Sequence, residues 1–260
     1  MRPQVVAHRG ASDTIAEHTL GAYLAALDAG AEALECDVRL TADGHLVCVH
    51  DRSLKRVATT KQVISTMDLK DLHDLDVATW KNPWADLDDE APDVDEEHHR
   101  VLTLRKLLET VADYHRPVEL AIETKHPTRF GGLVEKRLVE LLRDFGWDGA
   151  DSPARVMSFS FSALQRVQRL APELRLVQLM DKAHQWSMLR RVVGSEWIVG
   201  PGIGVLREHP GLGRRLAEAG REIHVWTVNT AADLQICQSY GVRAVITDKP
   251  GYILKLLGDQ

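Results

Sequence analysis

The sequence predicts an α/β fold, a closed (β/α)8 TIM barrel, from three observations. Short runs of aliphatic and β-branched residues recur along the chain, longer segments between them have the apolar spacing of helices, and eight such strand runs occur. Strands that alternate with helices form parallel sheets with right-handed crossovers. The length of 260 residues is ordinary for one barrel. We therefore expect a single domain over residues 1–260.

The predicted elements follow in chain order. The eight strand runs are residues 5–8, 33–38, 118–123, 155–158, 175–180, 197–200, 223–228 and 244–247. Helical spacing is clearest in Leu20, Leu24 and Leu27, in Leu104, Leu107, Leu108 and Val111, and in Leu133, Leu138, Val139 and Leu142. A doubly wound open sheet is the alternative fold, but no GxGxxG turn follows the first strand.

A further strand-like run, residues 45–50, does not fit the count of eight. It follows the second strand after Asp43 and Gly44, a dipeptide typical of a two-residue hairpin turn. We predict that this run is an added hairpin strand that sets His50 opposite Asp37 on the same face. A slip of one residue would turn His50 to the other face.

A segment of about residues 51–100 is expected to be a small insertion after the second barrel strand. Its second half, residues 76–100, holds nine Asp or Glu residues against one Lys and one Arg, together with Trp80 and Trp84. A solvated acidic loop is one interpretation. A lid over the barrel mouth is the other, because long insertions in compact domains often form binding loops.

The composition argues against several classes of protein. A formal charge of −6 disfavours a nucleic-acid-binding surface. Three sparse cysteines without a CxxC motif disfavour a disulfide framework or a zinc–thiolate site. No apolar run approaches the roughly 20 residues that span a bilayer, and no signal-peptide pattern precedes the first strand. We expect a cytoplasmic protein without a membrane span, and the sequence leaves the oligomeric state open.

Carboxylates cluster at the predicted carboxyl ends of neighbouring strands, where barrel active sites lie. Because strand side chains alternate between faces, Glu35 and Asp37 point the same way, as do Glu123 and Lys125. Hard oxygen donors of this kind are the ligands that Mg²⁺ and Ca²⁺ prefer. The sequence therefore predicts a metal site made of Glu35, Asp37 and Glu123.

Two histidines end strands beside this site. His8 ends the first strand and His50 ends the added hairpin strand. Two imidazoles can divide the general-base and general-acid roles of phosphodiester cleavage, and the sequence does not assign which histidine takes which role. Arg9 and Lys125 are placed to clamp a phosphate group. Trp226 either packs against substrate or fills the barrel interior.

Further polar residues are expected at the same rim. His224 lies on the seventh predicted strand, Asn229 follows it, and Asp248 follows the eighth. Glu17 opens the first predicted helix, where a carboxylate complements the helix dipole. The sequence assigns no catalytic role to these four residues.

The ordered motifs resemble those of the glycerophosphodiester phosphodiesterase family over nearly the whole chain. They are AHRG at 7–10, EHT at 17–19, ECDVRLTADGHLVCVHD at 35–51, IETK at 122–125, SFS at 158–160, VWTVN at 225–229 and ITDKP at 246–250. The long block at 35–51 is the most specific of them. The chain departs from the usual Glu-Asn-Thr of the family by placing His18 between Glu17 and Thr19.

The resemblance implies a barrel enzyme that uses a divalent cation, Mg²⁺ or Ca²⁺, to hydrolyse glycerophosphodiesters to sn-glycerol 3-phosphate and an alcohol. It implies that the catalytic pair is His8 and His50. It also implies that the metal ligands are Glu35, Asp37 and Glu123, and that the substrate contacts are Arg9, Lys125 and Trp226. Two alternatives stay open: phospholipase D-like hydrolysis of lysophospholipids on the same barrel, and a non-catalytic glycerophosphodiester-binding module. No basic amphipathic helix supports a membrane-bound substrate.

Overall fold

Parallel strands alternate with outer helices through the computed structural model, which describes residues 2–58, 60–82 and 99–258. The strands are β1 (Gln4–His8), β2 (Ala33–Leu40), β3 (Leu46–Cys48), β4 (Glu119–Thr124), β5 (Ala154–Ser158), β6 (Arg175–Met180), β7 (Ile198–Pro201), β8 (His224–Val225) and β9 (Ala244–Thr247). The helices are α1 (Leu20–Asp28), α2 (Leu69–His73), α3 (Leu104–Ala112), α4 (Leu133–Asp144), α5 (Phe161–Leu170), α6 (Ala183–Leu189), α7 (Ile203–Glu208), α8 (Pro210–Glu218), α9 (Ala231–Ser239) and α10 (Pro250–Gly258). Within the described residues, none of these helices has the length and apolar character needed to cross a membrane.

Eight parallel strands form a nearly closed barrel, in the order β7-β6-β5-β4-β2-β1-β9-β8. Isolated parallel bridges join the two end strands, between Val199 and Ile223 and between Gly202 and Trp226. β3 lies off this path and pairs with β2, and its Val47 also forms an isolated bridge with Thr103. The predicted (β/α)8 barrel and its added hairpin strand are therefore confirmed.

The core has the two layers that strand alternation produces. Small and branched residues fill the barrel interior: Val6, Ala33, Ala121, Met157, Val177, Leu179, Ile198, Ala244 and Ile246. The opposite faces of β2 and β4 pack against the apolar sides of α3 and α4, where Leu107 and Leu138 are fully buried. Cys36 belongs to this outer layer, on the face away from its two acidic neighbours.

Hydroxyl residues begin four of the helices that follow strands or loops. Thr19, Thr103, Ser160 and Thr230 each accept a hydrogen bond from the backbone N–H three residues later. Such caps satisfy one of the backbone donors that every helix leaves unpaired at its start. They fix where α1, α3, α5 and α9 leave the rim of the barrel.

The β2–β3 hairpin is one residue out of the predicted register. Val38 pairs with Cys48, so the residue opposite Asp37 is Val49, whose N–H donates to the Asp37 carbonyl at 3.0 Å. The prediction that His50 lies directly opposite Asp37 is therefore wrong. His50 follows the end of β3 and takes its position from contacts outside the ladder.

The geometry of the turn causes this shift. Thr41 N–H donates to the His45 carbonyl at 2.9 Å, so three residues form the loop instead of two. Gly44 occupies the last loop position with φ of +88°, as in three-residue hairpin loops. The Thr41 hydroxyl donates to Asp43 Oδ1 at 2.6 Å and accepts from His45 N–H at 2.8 Å, which stabilises the longer loop.

The described part of the insertion has a small core of its own. It contributes three 3₁₀ helices, at Leu54–Arg56, Ile64–Thr66 and Thr79–Lys81, in addition to α2. Their apolar side chains pack with Val47 and Val49 of the hairpin. The expectation of an acidic loop or lid falls mainly on residues 83–98, including Trp84, which lie outside the described residues.

A polar cluster fills the amino-terminal end of the barrel, and His224 belongs to it. His224 Nε2 lies 2.9 Å from Glu222 Oε1, and the neighbouring Arg155 donates to Glu119 at 2.5 Å. The prediction that His224 reaches the same rim as Trp226 is wrong. Each strand residue advances the chain by about 3.3 Å, so the step of two positions from His224 to Trp226 separates them by about 7 Å along the strand.

We predict that substituting Gly10 by Ala strongly destabilises the fold. Gly10 has φ of +87°, and a Cβ built on it would lie 2.5 Å from the backbone carbon of Ala22. Positive φ costs a non-glycine residue about 1–2 kcal/mol, and the overlap adds about 1–3 kcal/mol. Gly241→Ala is the matched control, because Gly241 has φ of +64° with no atom within 4 Å of its Cβ position. Urea unfolding should show the larger loss for Gly10→Ala; equal losses would contradict the steric argument.

We also predict that His224 makes the fold sensitive to mild acid. Burial lowers the pKa of His224 to about 4 despite the hydrogen bond to Glu222, whereas an unfolded histidine has a pKa of about 6.5. Between these pH values the histidine is protonated in the unfolded chain and neutral in the folded chain. The contribution of His224 to the free energy of unfolding is therefore full above about pH 6.5 and decreases as the pH drops toward 4.

Urea unfolding between pH 7 and 4.5 tests this prediction. His224→Gln should reduce the slope of unfolding free energy against pH by up to about 1.4 kcal/mol per pH unit. His45→Gln is the control, because the side chain of His45 is 55% exposed. An unchanged slope for His224→Gln would show that other groups account for the acid sensitivity.

Candidate active site

Strand register brings the predicted site residues together at the carboxyl end of the barrel. β1 pairs with β2 so that His8 lies beside Glu35, and β2 pairs with β4 so that Asp37 lies beside Glu123. Alternation then points Glu35 and Asp37 to the interior face. Lys125 follows the end of β4 and reaches back toward the same carboxylates.

The three carboxylates form a tight and buried group. One oxygen from each of Glu35, Asp37 and Glu123 lies within 4.8 Å of the others, and the three residues are between 0% and 8% exposed. Burial raises the pKa of Glu35 well above its usual range, and the charge of Asp37 adds to this effect. The same two causes raise the pKa of Glu123 to about 8.

Two cations and one histidine hold Asp37 ionised in this group. Arg9 Nε lies 3.0 Å from Asp37 Oδ2, and Lys125 Nζ lies 3.1 Å from Asp37 Oδ1 and 2.8 Å from Glu123 Oε1. Burial would raise the pKa of Asp37, but the hydrogen bond from His18 and the charges of Arg9 and Lys125 outweigh it and hold that pKa well below its usual range.

This donor set fits a divalent cation. Asp37 Oδ1 is buried and receives no well-directed hydrogen bond from the described residues, even with the Lys125 ammonium nearby. Burial and mutual repulsion raise the pKa values of Glu35 and Glu123. A hard cation stabilises such a group of carboxylates and gives the unpaired Asp37 oxygen a partner. Glu35, Asp37 and Glu123 are the residues that would hold it.

His8 is fixed by a carboxylate from the last strand of the barrel. Its Nδ1 lies 2.6 Å from Asp248 Oδ1, and Asp248 also accepts hydrogen bonds from Asn229 at 2.6 Å and from Ser12 at 3.1 Å. Because a carboxylate accepts the Nδ1 proton, His8 Nε2 is the nitrogen left to face the cavity. That nitrogen lies 3.9 Å from Glu35 Oε2.

His50 has a similar arrangement from other parts of the chain. Its Nδ1 lies 3.0 Å from Asp51 Oδ1, and its carbonyl accepts two hydrogen bonds from Arg39, at 3.0 and 2.7 Å. Partial burial lowers the pKa of His50, although the charge of Asp37 opposes this effect. His50 therefore lines the cavity, although β3 ends at Cys48, before His50.

A cavity of about 260 Å³ joins these groups. Its lining comprises His8, Arg9, Glu35, His50, Glu123, Lys125, Met157, Phe159, Leu179, Asp181, Trp226, Thr227 and Ile246. Trp226 and Phe159 meet edge to face with ring centroids 5.4 Å apart, and Trp226 Nε1 donates to the Gly200 carbonyl at 2.9 Å. The predicted site residues thus line one cavity, except Asp37, which lies buried beneath it.

A larger groove of about 550 Å³ lies outside the barrel, beneath the hairpin turn. Its charged side chains pair with one another: Arg105 with Asp144 at 2.5 Å, and Arg137 with Glu140 at 3.1 Å. The described residues place no histidine–carboxylate pair of catalytic type in its lining. The smaller cavity is therefore the candidate active site.

His18, the departure from the family motif, lies inside this charge network. It has φ of +62° and is buried, with Nε2 2.9 Å from Asp37 Oδ2 and Nδ1 2.8 Å from the Tyr23 hydroxyl. Burial lowers the pKa of His18, and the hydrogen bond to Asp37 opposes this effect. His18 therefore acts as a hydrogen-bonding neighbour of Asp37.

The sequence did not identify several neighbours of the site. Asp248 was expected at the rim without a role, and its signals were its strand-end position and its place in the ITDKP motif. Phe159 and Arg39 lie in motifs that the sequence singled out, but the motifs did not indicate their contacts, and Asp181 gave no signal. Asp51 follows His50 directly, but only the structure reveals the contact between their side chains.

Comparison with known proteins identifies the family. A family model described as the glycerophosphoryl diester phosphodiesterase family matches residues 8–252. A Mycobacterium tuberculosis protein named "Probable glycerophosphodiester phosphodiesterase 1" is 44% identical over 255 residues, which cover 96% of this chain and 90% of that protein. A Bacillus subtilis glycerophosphodiester phosphodiesterase is 29% identical over 257 residues, covering 96% and 85% of the two chains.

Solved structures agree on the fold. An Oleispira antarctica phosphodiesterase in complex with the product sn-glycerol-3-phosphate has a TM-score of 0.80 at 24% identity, covering 98% of this chain and 97% of that one. A glycerophosphodiester phosphodiesterase from Agrobacterium tumefaciens has a TM-score of 0.74 at 25% identity, covering 98% and 100%. This chain belongs to the glycerophosphoryl diester phosphodiesterase family and to its class of phosphoric diester hydrolases.

Proposed function

We propose that this enzyme hydrolyses glycerophosphodiesters to sn-glycerol 3-phosphate and an alcohol by two-histidine acid–base catalysis beside a bound divalent cation. The observation that carries the proposal is one cavity lined by His8, His50, Glu35 and Glu123, with Asp37 directly beneath it. Small diesters of glycerol fit a cavity of about 260 Å³ better than a lipid with an acyl chain does. The product bound in the Oleispira antarctica structure supports the same substrate class.

His8 and His50 exchange protons with the reacting oxygens through their Nε2 atoms. Each Nδ1 faces a carboxylate, Asp248 at 2.6 Å and Asp51 at 3.0 Å, which fixes the tautomer and the ring orientation. One imidazole removes a proton from the attacking hydroxyl or water, and the other gives a proton to the departing alkoxide. Both Asp248 and Asp51 stabilise the imidazolium that forms during these transfers.

Glu35, Asp37 and Glu123 would hold Mg²⁺ or Ca²⁺. When bound, such an ion supplies positive charge to the phosphoryl oxygens as negative charge accumulates on them. Arg9 and Lys125 line the cavity and present further positive charge to the phosphate. Trp226 offers an apolar face to the carbon backbone of the substrate while its N–H is bound to Gly200.

We predict that His8→Ala and His50→Ala each lose about 10²–10⁴-fold in kcat while the fold is retained. Both side chains lie at the cavity and neither is part of the barrel core. The assay is release of glycerol 3-phosphate from glycerophosphocholine, and His115→Ala, at an exposed position before β4, is the control. A near-normal rate for either variant would overturn the acid–base assignment. Faster turnover of lysophosphatidylcholine by the wild-type enzyme would favour phospholipase D-like activity instead.

We further predict that Mg²⁺ or Ca²⁺ stabilises the enzyme and is required for turnover. Binding to the folded chain alone raises the free energy of unfolding by about 2.7 kcal/mol at 100 times Kd. The measurement is the rise in Tm when the ion is added. Glu35→Gln and Glu123→Gln should reduce that rise, whereas Glu140→Gln, whose side chain is 40% exposed on α4, should leave it unchanged. Full activity of the wild-type enzyme in excess chelator would exclude the metal requirement.

A further inference from the structure

Arg56, in the 3₁₀ helix of the insertion, binds two carboxylates with separate nitrogens. Its Nε donates to Asp51 Oδ2 at 2.7 Å. Its Nη1 and Nη2 donate to the two oxygens of Glu17, at 2.8 and 2.7 Å. Arg56 is not among the described residues that line the cavity, so its influence on the site would pass through these two carboxylates.

The first of these carboxylates connects Arg56 to His50. Asp51 uses Oδ2 for Arg56 and Oδ1 for His50 Nδ1, so one side chain joins the guanidinium to the imidazole. Asp51 is 35% exposed and follows the end of β3, where no ladder hydrogen bond restrains it. Arg56 is the cation that fixes the rotamer of Asp51, and Asp51 in turn fixes the ring of His50.

The second carboxylate connects Arg56 to Arg9. Glu17 Oε1 accepts from Arg56 and also from Arg9 Nη1 at 3.1 Å, and Arg9 Nε lies 3.0 Å from Asp37 Oδ2. Arg9 has φ of +59°, a backbone conformation that needs support from its surroundings. Glu17 therefore ties the phosphate-facing Arg9 to the same guanidinium that holds Asp51.

The insertion holds Arg56 in place. The guanidinium lies over the ring of Trp80, 5.6 Å from its centroid, and Leu54 at the start of the same 3₁₀ helix is fully buried. Lys81, the residue after Trp80, donates through Nζ to the Ser12 carbonyl at 2.8 Å. The Lys81 contact attaches the insertion to the loop after β1, which also carries Arg9 and Glu17.

We propose that Arg56 is a positioning residue that sets His50 through Asp51 and Arg9 through Glu17. The proposal rests on the proposed roles of His50 and Arg9. Lysine cannot replace Arg56 fully, because one ammonium lacks the planar fork that meets two carboxylates at once. The insertion thereby contributes to catalysis through a single side chain outside the cavity.

The test compares kcat and KM for variants of the three connected residues, with glycerophosphocholine as substrate. Arg56→Ala should lower kcat by about 10–100-fold and raise KM, because both branches are released. Asp51→Asn should lower kcat with little change in KM, and Glu17→Gln should mainly raise KM. Arg56→Lys should lie between Arg56→Ala and the wild type. Lys55→Ala, in the same 3₁₀ helix at an exposed position, should match the wild type.

Two readouts separate positioning from a purely structural role. The first readout is rescue: guanidinium chloride at non-denaturing concentration should restore part of the kcat of Arg56→Ala. The second is a double variant: the kcat of Arg56→Ala combined with Asp51→Asn should be no lower than that of the slower single variant. Three outcomes would overturn the proposal. They are wild-type kinetics in Arg56→Ala, fully multiplicative losses of kcat in the double variant, and a loss of kcat in both Arg56 variants that is explained by a lowered Tm. If the wild-type enzyme itself hydrolyses no glycerophosphodiester, the proposed function fails first.

Discussion

Three carboxyl groups buried together are the constraint on which the rest of the site depends. Glu35, Asp37 and Glu123 place carboxylates within 4.8 Å of one another, nearly out of contact with water. Desolvation and mutual repulsion make such a group costly unless positive partners surround it. Arg9 and Lys125 supply that charge, which explains why they lie against the carboxylates. The same three residues form the acidic group that could hold a divalent cation.

The strands and the carboxylate group could be predicted because both follow from local periodicity. Apolar runs of four to eight residues form buried parallel strands, and alternation with a period of two puts Glu35 and Asp37 on one face whatever surrounds them. Adjacent parallel strands end at the same rim, which brings Glu123 alongside. To make these inferences one needs to know only which strands are neighbours. In a barrel, strands that are consecutive in the sequence are neighbours.

Other features depend on distances that periodicity does not contain. The Asp43-Gly44 dipeptide fits both a two-residue and a three-residue loop, and the Thr41 side chain decides between them. The depth of His224 depends on where β8 begins, and the apolar pattern runs past that boundary. The partners of His8 and His50 come from Asp248, at the other end of the sequence, and from the adjacent Asp51. Only the folded chain brings these groups into contact.

Of the two histidines proposed as the acid–base pair, His8 lies on the barrel itself, and His50 follows a hairpin strand that lies off the path of the eight barrel strands. His50 is held by a carboxylate, a guanidinium and an aromatic ring that follow it in the chain, at Asp51, Arg56 and Trp80. Among the described residues, Glu17 joins Arg56 of this segment to the loop between β1 and α1, and the neighbouring Lys81 reaches the same loop at the Ser12 carbonyl. Replacing Glu17 by a residue without a carboxylate would therefore remove a contact of Arg56, although position 17 lies far from the hairpin in the sequence.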